Sequence, residues 1–200
     1  EEIDTQVKKN SSKYRIIDYI KYLIPEHNPG ELFYHHADST ASSNIAHFNR
    51  IILNILECES PIHFNELSLR VIQHYSMGSV GAKIRRIMQR KLARLKARKK
   101  LKIKGDFIYK NNQKVDFIRL RNAPDAINMI LYVPHEEIKN AVLYILENEF
   151  YIAKEDLIVQ VAKLFGYFHT GRRIQKYVLE NINKMIGKVI IEENNEIRLK

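Results

Sequence analysis

What this chain lacks narrows it first. Cys58 is its one cysteine, which excludes an internal disulfide framework and fits a reducing cytoplasm. It lies in the helix-like stretch LNILECES and reads as a structural residue. No apolar run reaches the ~18 residues of a membrane-spanning helix, and the start shows no signal-peptide pattern. No GxxxxGK[ST] stretch is present, so a phosphate-cradling loop is excluded. The first residue is Glu1 rather than methionine, which points to a piece of a longer chain.

The sharpest absence is of acid. Between Glu66 and Asp106 there is no aspartate or glutamate. Ala82 to Lys104 reads AKIRRIMQRKLARLKARKKLKIK, with Lys83, Arg85, Arg86, Arg90, Lys91, Arg94, Lys96, Arg98, Lys99, Lys100, Lys102 and Lys104. Ile84, Ile87/Met88, Leu92 and Leu95 recur at the spacing of one helix face. The pattern predicts a helix with one face in a core and its other faces cationic. The chain carries +10 overall with a pI near 9.6, and residues 45–110 hold fifteen basic against four acidic residues. Residues 1–44 sum to −2, 111–134 to +1 and 135–200 to zero. One segment carries the whole excess, which points to a polyanionic partner such as nucleic acid. A merely solvated basic face is the plainer alternative.

Along the chain, residues 1–11 are polar and read as frayed. Tyr14–Ile24 has helical spacing at Ile16/Ile17, Ile20 and Leu23/Ile24, with Pro25 as its stop. Pro29-Gly30 marks a turn, 38–43 a loop, and Asn44 an N-cap. A repeat then emerges. Shifted by ninety residues, Leu56-Glu57 falls on Leu146-Glu147, Ile62 on Ile152, Leu67 on Leu157, Val71 on Val161, Gly81 on Gly171 and Ile84 on Ile174.

Each copy predicts the same order. A first helix covers 45–57 or 136–148, the latter started by Pro134, Glu136 and Glu137. A short strand is centred on Ile62 or Ile152. A second helix covers 65–75 or 155–165, and a third 80–98 or 171–186, with Ser79 and Thr170 as N-caps. A hairpin closes each copy, turning at Gly105-Asp106 or Asn194-Asn195. The expected fold class is mainly α with small β-hairpins (α+β), as two tandem winged helix-turn-helix units at 45–110 and 135–200. Residues 1–44 lead in, and 111–134 form a packed connector with a strand near Val115, Phe117 and Leu120 and a short helix at 126–131.

The phrase Pro61-Ile62-His63-Phe64-Asn65-Glu66-Leu67, followed by Gly81-x-x-Ile84-Arg85 and Gly105-Asp106-Phe107, resembles a bacterial domain of unknown function. That domain stands at the C-terminal end of very large helicase-related proteins. These combine a superfamily I helicase or ATPase core with a very-short-patch-repair-like nuclease domain, and some are implicated in defence against foreign DNA. The second copy is similar at Glu136-Glu137-Ile138, Asp156-Leu157 and Thr170-Gly171-Arg172-Arg173-Ile174, so the resemblance covers about residues 45–200. It implies the tail of such a protein, with upstream helicase and nuclease domains as partners. It carries over no catalytic residue. The basic run Lys96–Lys104 is longer than the family pattern, which leaves the end of the third helix in the first copy open.

Little chemistry is legible. His35, His36, Asp38 and His47 are ligand types without regular metal spacing. His63 reads as a capping or packing residue, while His74 and His169 stand near the entrances to the third helices as candidates for a phosphate contact. Glu57/Glu59 and Glu147/Glu149 read as solvated helix ends. No cofactor, metal or small-molecule substrate is expected, and no enzyme activity.

For nucleic acid, the third helix and wing are the expected reading surface. In the first copy this nominates Lys83, Arg85, Arg86, Arg90, Lys91, Arg94 and Arg98, with Lys99, Lys100, Lys102 and Lys104 on phosphates. In the second it nominates Arg172, Arg173 and Lys176, interrupted by Glu180. The alternatives are a protein-docking module of the parent helicase and a stand-alone transcription regulator or replication initiator.

Overall fold

The computed structural model describes residues 14–24, 29–121 and 129–200. In chain order it has strand β1 (Arg15–Asp18), helices α1 (Glu31–Ala37) and α2 (Ser42–Glu59), strand β2 (Ile62–His63), helices α3 (Phe64–Gln73) and α4 (Ala82–Ala97), and strands β3 (Leu101–Lys104), β4 (Phe107–Lys110) and β5 (Phe117–Leu120). A 3-10 turn at Met129–Tyr132 precedes α5 (His135–Leu146), β6 (Ile152–Ala153), α6 (Lys154–Leu164), α7 (Arg172–Asn183), β7 (Ile190–Glu193) and β8 (Glu196–Leu199). The class is α+β, helices with small antiparallel sheets and one parallel strand pair. No helix among the described residues is long and apolar enough to cross a membrane.

The chain divides into two units. The basic unit spans Tyr19–Lys114 together with Tyr132–Pro134. Its core gathers Phe33 of α1, Phe48, Ile52 and Ile55 of α2, Leu67 and Val71 of α3, and Ile87, Met88 and Leu92 of α4. The sheet order is β2-β4-β3, with Ile62 opposite Ile108 and Leu101 opposite Lys110. Gly105 turns the hairpin at φ 54°, a conformation that side chains with a Cβ disfavour.

The second, neutral unit takes 115–131 and 135–200 along with residues up to Asp18. Its sheet order is β6-β8-β7, with Ile152 opposite Ile197 and Ile190 opposite Leu199. The helices and three-stranded sheets of 42–110 and 135–199 therefore follow the same order. The ninety-residue shift holds for the helices and becomes eighty-nine in the hairpins, where Ile108 corresponds to Ile197. Asn194 and Asn195 both adopt positive φ at the second turn, as a tight two-residue hairpin requires.

Several expectations are corrected. Tyr14–Ile24 is no helix: Arg15–Asp18 pairs in parallel with β5, Ile16 opposite Ile118, and 19–24 runs on without regular structure. The β-branched pair Ile16-Ile17 suits a strand once a partner edge is present. The expected frayed residues 1–11, the stop at Pro25 and most of the 126–131 helix fall outside the described residues. Asn44 lies inside α2, which starts at Ser42 after Ala41. Gly81 and Gly171, not Ser79 and Thr170, hold the N-cap positions of α4 and α7. Cys58 is exposed. The strand expected in the connector exists, but it packs on α5 and belongs to the neutral unit rather than to a separate connector.

Glu59 is the largest correction. It has no exposed surface and lies beneath residues 19–22. Arg70 Nε donates to it at 2.9 Å, the Tyr22 N–H at 2.9 Å, and the Tyr19 hydroxyl as well. Its neighbour Glu57 is exposed and pairs with Lys110 at 3.0 Å. In the neutral unit, Glu137 fills the corresponding need for a buried carboxylate, accepting the Arg119 backbone N–H at 3.1 Å and its guanidinium. Removing one member of a buried pair leaves the other charge uncompensated, at about 3–5 kcal/mol. Glu59→Gln is expected to lower unfolding stability by that order, while Glu57→Gln shifts it by less than about 0.5 kcal/mol. Urea denaturation followed by circular dichroism checks the contrast.

Candidate nucleic-acid interface

The exposed face of α4 follows from its buried one. Ile84, Ile87, Met88, Lys91, Leu92 and Leu95 face the core. The remaining positions, including Lys83, Arg85, Arg86, Arg90, Arg94 and Lys96, are exposed. Arg98, Lys99, Lys100, Lys102 and Lys104 continue the exposed cations past the helix and along β3. The structure thus gathers on one helix and hairpin all of the cations proposed for the first copy except Lys91.

Lys91 is only 4% exposed. Its Nζ sits 5.3 Å from the Phe48 ring centre, and burial, with Arg94 and Arg90 nearby, pulls its pKa below the usual lysine value against the opposing pull of Asp38. The spacing that marks Met88 and Leu95 as buried runs through position 91, so its place was legible in the sequence. Lys91 is withdrawn from the contact surface.

The exposed cations are not equivalent. Arg90 is tied to Asp38 at 2.8 Å and Arg85 donates to Asn65 Oδ1 at 2.7 Å. Lys83 lies over the Tyr34 ring at 4.1 Å. Tyr34 lies in α1 and Asp38 caps its C-terminal end, so this segment engages α4 between Lys83 and Arg90. Arg86, Arg94, Lys96, Lys99 and Lys102 have no ion-pair partner among the described residues.

Both third helices also start against the usual electrostatics. Neither has a side-chain cap or an acid in its first turn, where a helix dipole favours negative charge. Instead Lys83 and Arg85, or Arg172 and Arg173, stand there. In the neutral unit Arg172, Arg173 and Lys176 are exposed, as is Glu180.

The end of α4, left open by the sequence, is closed by a six-residue hydrogen-bonded turn. Lys100 N–H donates to Leu95 C=O at 3.0 Å and Lys99 N–H to Lys96 C=O at 2.9 Å. Lys99 holds the left-handed position, φ 56°, where glycine is customary. Lys99→Gly is expected to leave stability unchanged or raise it by up to about 1 kcal/mol, and Lys99→Val to lower it. Thermal unfolding of the two variants tests this.

The histidines take structural places. His63 caps α3, its Nδ1 accepting the Asn65 N–H at 3.1 Å. It stacks on Tyr132 with ring centres 4.0 Å apart. His74 is buried beside Tyr22, which removes it from phosphate contact, while His169 is exposed. His36 lies 4.7 Å from His47 between ring centres. No group of three or more metal-ligating side chains is placed to hold a metal ion among the described residues.

Burial chiefly, with Arg85 adding to it and Asp106 opposing, lowers the His63 pKa. The folded protein then resists a proton that the unfolded chain accepts near pH 6.5. The His63 contribution is therefore present above that pH and is lost as pH falls through the lowered folded value. His63→Asn keeps a cap acceptor and removes the titration. Its stability is expected to fall less than wild type between pH 7 and pH 5, measured by denaturation midpoints.

The lysines line two clefts that sequence reasoning did not anticipate. One, of about 470 Å³, is bounded by Lys96, Lys99, Lys102, Lys104, Asn111 and Asn112 over Leu101 and Ile103. The other is bounded by Lys100, Lys110, Lys114, Asn111 and Gln113 beside Leu53, Leu56 and Glu57 of α2. Lys110, Lys114 and the asparagines were missed because they lie at or beyond the end of β4 and join the basic run only when that strand folds back. Comparison of the chain with protein-family models, curated proteins and solved structures finds no match.

Proposed function

We propose that this chain is a non-catalytic nucleic-acid-binding module, for DNA before RNA, that works in the cytoplasm as the C-terminal part of a helicase-related protein. On this reading its two units are tandem winged helix-turn-helix domains. The first presents α4 and the β3–β4 hairpin to the ligand. One observation carries the proposal: an exposed helix-and-hairpin surface of cations with no acid in its sequence from Leu67 to Gly105. The shared order helix, strand, helix, helix, hairpin and the matched sheets support the domain assignment. Phe107 and Tyr109 of the hairpin are buried, so this surface offers cations to phosphates rather than rings to bases. Such contacts set affinity and orientation and carry no base preference.

The second reading, docking on the upstream helicase and nuclease domains, is favoured by exposed apolar side chains. Phe150, Tyr151 and Phe168 in the neutral unit are exposed, Phe150 by 96%. Ile20 and Leu23 are exposed in the other. The two roles are compatible, one unit engaging nucleic acid and the other a partner protein.

Fluorescence anisotropy with labelled duplex, forked and single-stranded DNA over a salt series tests the proposal. Phosphate-dominated binding gives log affinity falling with log salt at about −0.9 per contact on duplex. Changing Arg86, Arg90 and Arg94 to alanine is expected to weaken binding and flatten that slope. Lys91→Met is expected to bind as wild type. Absence of binding at low salt, or an unaffected triple variant, returns the surface to a solvated face and leaves docking as the function.

A further inference from the structure

The cleft at the end of α4 combines features that a merely solvated surface does not need. Four lysines, Lys96, Lys99, Lys102 and Lys104, line it with no carboxylate among its lining residues, the Lys104 ammonium resting over the Tyr109 ring at 4.9 Å. One of its lining residues, Lys99, sits at φ 56°, where glycine is the customary occupant. A helix C-terminus attracts cations, and that accounts for Lys96. It does not account for Lys102 and Lys104 on β3, nor for lysine where glycine would relieve the backbone. Around Asn111 the cleft meets its neighbour, where Lys100, Lys110 and Lys114 add further charge and Glu57 offsets only the Lys110 amine.

We infer that this cleft is a phosphate-binding site in its own right, separate from the exposed face of α4. Its occupant is the phosphodiester backbone of a nucleic acid. The lysine ammonium groups neutralise the phosphate oxygens, and the Asn111 and Asn112 side-chain amides donate hydrogen bonds to them. The Asn111 junction leads the backbone on toward Lys100 and Lys114. This deepens the proposed nucleic-acid reading, because it gives the module a second line of phosphate contact beyond the helix face.

Three forms of the full chain test it: wild type, a cleft variant (Lys96→Gln, Lys99→Gly, Lys102→Gln, Lys104→Gln) and a face variant (Arg86→Gln, Arg94→Gln). Circular dichroism verifies folding, and Lys99→Gly alone serves as a variant that cannot strain the backbone. Each is titrated with a short labelled duplex over a salt series. Each is also titrated with inorganic tripolyphosphate while the Asn111 and Asn112 NMR signals are followed. The site predicts a salt slope shallower by about 0.9 for each phosphate contact removed, hence roughly 2 to 3 for the cleft variant. It also predicts tripolyphosphate shifts at both asparagines that persist in the face variant and vanish in the cleft variant. A cleft variant that folds and keeps the wild-type slope and shifts overturns the inference, even if the face variant loses binding and so upholds the nucleic-acid reading. Wild type that binds no duplex but shows the lysine-dependent shifts keeps the phosphate site, assigns it to a free polyphosphate and overturns its nucleic-acid occupant.

Discussion

The basic surface exists because α4 is anchored by its apolar stripe. Its exposed cations repel one another, and nothing on their own faces compensates them fully. Each buried aliphatic side chain, Ile84, Ile87, Met88, Leu92 and Leu95, contributes about 1.5–3 kcal/mol of burial. Exposed like charges ~4 Å apart in water interact by about 1 kcal/mol, and salt screens them beyond ~10 Å. Burial wins, and the helix holds its charges in place. Three contacts moderate the repulsion locally: Arg90 with Asp38, Arg85 with Asn65, and Lys83 over Tyr34. These lie between Lys83 and Arg90, which leaves Arg94 and Lys96 toward the end of α4 without an ion-pair partner among the described residues.

The two units share element order and strand register but differ in what they bury and expose. The basic unit holds residues 19–22 down through Glu59 and Arg70. The neutral unit holds β5 to α5 through Arg119, Glu137 and Asn140, whose side chain donates to Phe117 C=O at 3.0 Å. In each case a carboxylate on a first helix captures a segment from outside the repeat. That explains how flanking stretches become parts of the units: 19–44 with one, 115–121 with the other. The outer surfaces diverge in the same way, toward lysine in one and toward exposed aromatics in the other. Shared apolar positions set a common scaffold, on which charge placement is free to vary.

Legibility in the sequence followed the range of the interactions involved. The α2–α3–α4 and α5–α6–α7 helices, both hairpins and the ninety-residue repeat were readable because periodicity and turn residues are local signals. Tyr14–Ile24 was misread as a helix because its spacing fits either state. Only pairing with β5, about a hundred residues away, selects the strand. Lys91 is legible as buried from its place on the apolar stripe, three residues after Met88 and four before Leu95. Glu59 was not readable, because nothing near it in the sequence announces that residues 19–22 will cover it.

By itself, then, the sequence determined the element order, the doubling of the architecture and the concentration of positive charge in one segment. Each is encoded within a turn or two of helix or across one hairpin. Only the tertiary structure decided which cations stand free, which are paired and which one is buried. It also brought Asn111 and Asn112 beside the lysines of α4 and β3, and Lys114 beside Lys100. The reason is physical: exposure and ion pairing depend on which surfaces meet, and those meetings join residues that the chain keeps far apart.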